Sequence, residues 1–175
     1  MRVGVDLDDT IFNTTKQYKK YQFSYLKEKN ITEKELWSIK ENRFDFIKTN
    51  FDNIFSNLKV KPNVRKTLKN FKKLGYEIYI ITARSKRYNE NIYEITKDSL
   101  IKNNVIFDKL ILTEKEKLNY CLENNIDIMI DNSVDVYIEL KGSKIKFILY
   151  DECKNYLNID DRVSSWNEIF EMFRR

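Results

Sequence analysis

Apolar and polar positions follow two periods along the chain. Residues 3–5 form a short β-rich run that stops abruptly at Asp6-Leu7-Asp8-Asp9-Thr10. Further continuous apolar runs occupy 76–81, 109–112, 126–130 and 145–150, and the first three end at Thr82-Ala83-Arg84, Thr113 and Asp131. Short apolar runs bounded by polar residues read as buried strands. Between them the spacing is helical. Val64, Leu68, Phe71 and Leu74 make one stripe that Gly75 ends, with Pro62 placed to open it. Helices are also expected over 88–102, from Lys115 to Glu123, through Tyr137 and Leu140, and at the tail around Trp166, Ile169, Phe170 and Phe173. Strands separated by helices of about ten to fifteen residues predict an α/β fold, a doubly wound and mostly parallel five-stranded sheet.

The segment between the first two strands is helical throughout. Thr14 with Gln17 has the form of a capping box, followed by Tyr18, Tyr21, Tyr25 and Leu26 at helical spacing. Thr32 with Glu35 repeats the signal before Leu36, Trp37 and Ile39, and a third apolar group runs from Phe44 and Phe46 through Ile47, Phe51, Ile54 and Phe55 to Leu58. The expected organisation is therefore a core of residues 1–13 and 61–175 with a small helical cap, 14–60, inserted after the first strand.

Composition narrows the chemistry. The 175 residues suffice for one domain with a modest insertion. The chain has no apolar run of about eighteen residues and starts without a signal-peptide pattern, so no membrane partner and a cytoplasmic location are expected. Cys121 and Cys153 are far apart and outside any Cys-x-x-Cys spacing, which fits reduced thiols. Histidine is absent, which removes Ser-His-Asp, Cys-His and histidine-ligated metal chemistry. The net charge is +5. Its lysines are spread along the helices, so they read as solvated faces that attract small anions, and nucleic acid is not the expected partner.

The acids that close the first strand are the distinctive feature. Asp6 and Asp8 are two apart on an extended segment, so both point the same way, at the strand end where ligands of parallel sheets collect. Two such carboxylates repel unless a cation joins them, and Mg²⁺ suits oxygen ligands and a phosphate-bearing substrate.

Asp6-Leu7-Asp8-Asp9-Thr10-Ile11 resembles the first motif of the haloacid dehalogenase superfamily, and the other motifs follow in order at strand ends. The resemblance implies a phosphatase in which Asp6 attacks phosphorus to form an aspartyl-phosphate, and Asp8 protonates the leaving oxygen and then activates water. It further implies that Thr82 and Ala83 bind phosphoryl oxygens, together with a lysine after the third strand. Lys115 is the preferred lysine, because Leu118 follows it at i+3, and Lys117 is its rival. Asp131-Asn132-Ser133-Val134-Asp135 resembles the fourth motif, although many relatives have a second Asp where this chain has Asn132. Mg²⁺ is then expected on Asp6, Asp131 and the backbone carbonyl of Asp8, with Asp135 farther out. The retained acid at Asp8 disfavours dehalogenation.

Ile80-Ile81-Thr82-Ala83-Arg84 and the cap position are similar to the 5′(3′)-deoxyribonucleotidases and their bacterial nucleotidase relatives. That resemblance implies a nucleoside monophosphate as substrate, with cap aromatics stacking on the base. Phe12, Tyr18, Tyr21, Phe44 and Phe46 are available for stacking, and Arg84 for phosphate. The alternatives are a phosphatase of another small metabolite or of a nucleic-acid 3′ end, and a catalytically silent binding domain.

Overall fold

The computed structural model describes residues 1–113 and 116–174. Its sheet has six strands, β1 (Arg2–Val5), β2 (Glu77–Thr82), β3 (Lys109–Leu112), β4 (Ile128–Asp131), β5 (Lys146–Tyr150) and β6 (Arg162–Val163). They run in the order β3-β2-β1-β4-β5-β6, and every pairing is parallel. The sheet is thus one strand larger than expected. The added β6 is only two residues long, held by Leu149 opposite Arg162 and Tyr150 opposite Val163. A pair of residues carries no readable period, so only the tertiary pairing reveals it.

Four helices, α1 (Thr14–Lys29), α2 (Glu33–Ser38), α3 (Lys40–Thr49) and α4 (Phe51–Phe55), follow β1 and precede a fifth that leads into β2. They are followed by α5 (Val64–Lys73), and α6 (Ile92–Lys102), α7 (Lys117–Glu123) and α8 (Val134–Leu140) join the later strands before the closing α9 (Trp166–Met172). Strands buried on both faces explain why β2, β4 and β5 are nearly unbroken apolar runs. Gly4 in β1 permits the close packing: a Cβ there would lie 2.7 Å from Met129 Sδ and 3.1 Å from Ile81 Cδ1. The arms that join the inserted helices to the sheet pair with each other, Phe12 bridging Val60 in antiparallel sense.

Helix starts are where the sequence signals diverge. Thr32 and Glu35 form the expected capping box at α2. Thr14 and Gln17 do not: α1 begins after Asn13 without a side-chain cap, Thr14 Oγ1 donates instead to Asp8, and Gln17 Nε2 donates to the carbonyl of Asn57. Both side chains are drawn away by groups distant in sequence. Pro62 likewise precedes α5 rather than opening it, because Asn63 takes a left-handed conformation at φ 64° and becomes the cap. The helix expected over 88–102 starts only at Ile92.

One apolar cluster runs from the inserted helices (Tyr25, Leu36, Phe46, Ile54) through β1 and β2 to Trp166 and Ile169 of α9, while a second lies on the opposite face around Ile81, Met129 and Leu149. The Trp166 indole N–H donates to the buried carbonyl of Thr10 at 2.8 Å, so the closing helix supports the loop after β1. Among the described residues no helix is long and apolar enough to cross a membrane.

Candidate active site

The strand register brings the acids together. Val5 lies opposite Ile80 of β2 on one side and Ile130 of β4 on the other, so one step farther Asp6 stands beside Asp131. Its backbone N–H donates to the carbonyl of Ile130 at 2.9 Å. The order of connection reverses at β1, which places these residues in the crevice where parallel sheets bind ligands. The chain then turns sharply. Asp9 adopts φ 61°, a left-handed conformation that Asp tolerates better than most residues. Its carboxylate accepts hydrogen bonds from the N–H and hydroxyl of Thr15 at 2.9 and 2.6 Å, tying the turn to α1.

Lys117, in the first turn of α7, reaches between the two strand-end acids. Its Nζ donates to Asp6 Oδ1 at 2.6 Å and to Asp131 Oδ2 at 2.7 Å. Asp6 is 6%, Lys117 6% and Asp131 1% exposed. Burial, partly offset by Lys117 and reinforced by Asp131, pushes the Asp6 carboxyl up to about 7. Burial opposes the charge of Lys117 too, but Asp6 and Asp131 outweigh it and raise its pKa. Lys115, the preferred lysine, lies outside the described residues.

Asp8 has a different neighbour. Arg84 grips it with both carboxylate oxygens engaged, Nε donating to Oδ2 at 2.9 Å and Nη2 to Oδ1 at 2.8 Å, and the Thr14 hydroxyl donates to Oδ1 at 2.6 Å. Burial works against ionisation of Asp8, yet the Arg84 guanidinium prevails and holds the carboxyl below the usual range. Arg84 is itself anchored by Nη1 to the Thr96 hydroxyl at 3.2 Å and by the face of Phe55, 4.6 Å from its guanidinium carbon. Thr82, at the end of β2, is buried, and its hydroxyl accepts from the Arg84 N–H at 3.4 Å.

These groups line a cavity of about 320 Å³. Asp6, Asp8, Thr82, Ala83, Arg84, Lys117 and Asp131 form its polar end, and Tyr18, Ile47, Phe51, Phe55 and Tyr88 its apolar end. A larger cavity of about 490 Å³ is lined by Asp9, Asn13, Lys61, Asn132 and Tyr150 among others, but by none of Asp6, Asp8, Lys117 or Asp131. Asp135 is exposed and outside both cavities. Of the candidate stacking residues, Tyr18 lines the cavity that holds Asp6 and Asp131, while Phe12 and Phe46 are fully buried in the core and Tyr21 packs against it. Phe44 lies farther out, stacked on Tyr88. The sequence reading passed over Phe51, Phe55, Arg87 and Tyr88. Phe51 and Phe55 share a helix face at i and i+4, a spacing that core residues show equally, so sequence alone carried no distinguishing signal. Asn132 accepts a hydrogen bond from Thr10 Oγ1 at 3.2 Å, which gives this departure from the motif a place in the frame of the site.

The donor set suits a hard cation. Asp6 and Asp131 share one ammonium, so with both ionised the cluster carries a negative charge in excess. Among the described residues no group of three His, Cys, Asp or Glu could hold a metal, so any ion here depends on two carboxylates plus main-chain, substrate and water oxygens. That sparse oxygen set is what Mg²⁺ accepts.

Solved structures share this fold. A haloacid dehalogenase-like hydrolase from Streptococcus pneumoniae superimposes with a TM-score of 0.71 at 12% identity, covering 99% of this chain and 98% of that one. A protein from Clostridium acetobutylicum described as a predicted phosphatase gives 0.69 at 18% identity, covering 98% and 96%. A haloacid dehalogenase-type hydrolase from Bacillus subtilis, solved bound to magnesium, gives 0.66 at 10% identity, covering 99% and 98%. At these identities the likeness establishes the fold, that of the haloacid dehalogenase hydrolases. Residues 1–175 match the family described as 5′ nucleotidase, deoxy (pyrimidine), cytosolic type C, and the chain belongs to that family. It is also 31% identical over 121 residues to a Bacillus cereus protein named "Putative nucleotidase", a match that spans 65% of this chain and 60% of that protein.

Proposed function

We propose that the protein is an Mg²⁺-dependent phosphatase that hydrolyses a nucleoside monophosphate through an aspartyl-phosphate on Asp6. The observation that carries the reading is the buried Asp6–Lys117–Asp131 array at one end of a cavity whose other end is aromatic. A carboxylate at a strand end, fixed by a lysine and open to the cavity, is positioned as a nucleophile. Asp6 attacks phosphorus in line, the ester P–O bond breaks, and the leaving oxygen takes a proton from Asp8. Water then attacks the phosphorus of the aspartyl-phosphate, Asp8 accepts its proton, and inorganic phosphate leaves with Asp6 restored.

The Arg84 pair makes Asp8 an anion in the free protein, ready for the second half of the cycle. Its role as acid in the first half requires Asp8 to take up a proton, from solvent or from a singly protonated substrate phosphate, once that phosphate competes with it for Arg84. Thr82 and Lys117 supply donors for the phosphoryl oxygens. Asp6, Asp131 and main-chain oxygen would hold Mg²⁺, which would supply positive charge to offset repulsion between carboxylates and phosphate. Phe51, Phe55, Tyr18 and Tyr88 line the cavity with aromatic rings, whose faces suit a base. The magnesium in the Bacillus subtilis relative and the family's description support the ion and the substrate class.

Phosphate release from ribo- and deoxyribonucleoside monophosphates and from sugar phosphates, with and without Mg²⁺, tests the proposal. Nucleotide turnover that needs Mg²⁺ is expected, and turnover of sugar phosphates alone refutes the substrate class.

A further inference from the structure

The loop after Thr82 faces two ways. Arg87 and Tyr88 line the catalytic cavity, and they also wall an adjoining cavity of about 350 Å³ whose other side is α3, through Lys40, Glu41, Arg43 and Phe44. The two cavities therefore share a wall. That wall is a stack across the cap and core: the Phe44 and Tyr88 rings lie 5.4 Å apart with planes 28° apart. Cations flank it on both sides, the Arg87 guanidinium 5.0 Å from the Tyr88 centroid and Lys48 Nζ 5.8 Å from that of Phe44.

The charges in this outer cavity are uncommitted. Lys40, Arg43 and Arg87 line it against one carboxylate, Glu41, and among the described residues none of the three forms an ion pair. All three are exposed. This contrasts with the catalytic end, where Arg84 and Lys117 are both paired with carboxylates. Arginine presents a planar fork that matches phosphate oxygens, and free cations beside an anion-binding cavity raise the local potential for a second anion.

We infer that the outer cavity is a subsite for a second phosphate on the same substrate, so that the preferred nucleotide carries two phosphates at separate positions. The inference rests on the nucleotide reading above and deepens it. The bond broken is unchanged: the monoester at Asp6 is hydrolysed, and the second phosphate leaves intact on the product, held until then by Arg43 and Arg87. Its source is either a nucleoside 3′,5′-bisphosphate or the bridging phosphate of a dinucleotide with a terminal phosphate.

Two measurements on the full chain test this. Phosphate release is compared for a nucleoside monophosphate, the 3′,5′-bisphosphate of the same nucleoside, and the terminally phosphorylated dinucleotide. Calorimetric binding of the same compounds is measured on Asp6→Asn, so that affinity is read without turnover. A doubly phosphorylated compound is expected to exceed the monophosphate about tenfold in kcat/KM and in affinity, as suits one arginine–phosphate contact. Arg43→Ala should collapse that ratio toward one, and Arg43→Lys should restore part of it. Preference for the bisphosphate assigns a mononucleotide source, and preference confined to the dinucleotide assigns the bridging phosphate. Equal kcat/KM and equal binding for all three compounds overturns the inference, as does a preference that survives Arg43→Ala. Arg43-dependent tight binding without turnover of any nucleotide leaves the subsite standing and removes the phosphatase reading instead.

Discussion

The sheet end of the candidate active-site cavity and its helical end hold their shapes by different means. At the sheet end, Asp6, Asp8, Thr82 and Asp131 come from the ends of three adjacent strands, and each charged group is met by a specific opposite charge at 2.6 to 2.9 Å. At the helical end the walls are rings held by rings. Tyr18 lies 5.6 Å from Trp37 and 6.1 Å from Phe46, and Phe51 lies 4.6 Å from Phe55. Directional bonds fix the groups that the proposed mechanism sets on the phosphate, whereas non-directional packing shapes the wall proposed to meet the rest of the substrate. The first can hold reacting atoms to fractions of an ångström, and the second can be remodelled without disturbing the chemistry. Arg84 joins the two, bonded to Asp8 on one side and lying over Phe55 of the cap on the other.

Removing the proposed nucleophile breaks the sheet end most completely. Asp6→Asn should lower kcat by about four orders of magnitude or more, while substrate binding and thermal melting stay near those of the unaltered protein. Stopped-flow or endpoint phosphate release measures the first and a melting curve the second.

Lys117→Met comes next. It leaves Asp6 and Asp131 buried side by side without their shared ammonium, and an uncompensated buried charge costs about 3–5 kcal/mol. Chemical denaturation at neutral pH should show that loss, and added Mg²⁺ should recover part of it by taking the place of the positive charge. Lowering the pH should recover part as well. The sign follows from Asp6, whose carboxyl burial already raises above its ordinary value of 3.8 even with Lys117 opposing that shift, so that without Lys117 its ionisation weighs still more against folding as pH rises.

At the helical end the expected effect is smaller and falls on binding. Phe55→Ala removes an aromatic face from the cavity, worth about 1–3 kcal/mol per stacked base. KM for nucleotides should rise by about tenfold, and sugar phosphates should change far less. An equal change for both classes would mean that Phe55 acts only by supporting Arg84.

The smallest effect isolates ordinary surface electrostatics from the site. Asp108 accepts two hydrogen bonds from Lys72, at 2.7 and 2.8 Å, and one from the Ile78 N–H at 2.7 Å. Burial opposes its charge, but these donors prevail and hold its pKa below 3.8. A depressed carboxylate contributes stability above its ordinary pKa and loses it as pH falls through the lower folded value. Asp108→Asn should therefore cost about 1 kcal/mol at neutral pH, and the difference from the unaltered protein should vanish in acid below that folded value. Paired denaturation curves across that range check it.

How legible each end was in the sequence follows from the same contrast. Five of the strands and the acids at their ends stood out because a parallel strand buried on both faces must be apolar until the residue where it leaves the sheet. The polar residue at that point is therefore conspicuous, as Asp6, Thr82 and Asp131 are. The Thr32–Glu35 cap was readable because both partners lie within one turn. The Thr14–Gln17 signal was equally good locally and still misled, since Asp8 and Asn57 compete for the same side chains.

By itself, then, the sequence determined the alternation of strands and helices, the helical stretch between the first two strands, and the acids at the ends of β1 and β4. The tertiary structure decided what no window of residues contains. It decided that Arg84 grips Asp8 from 76 positions away and that Lys117 spans Asp6 and Asp131. It also decided that Phe55 faces the cavity while Phe12 and Phe46 are buried in the core. Periodicity reports which side of an element is apolar, but whether that side meets the core or a cavity depends on where the neighbouring elements come to rest.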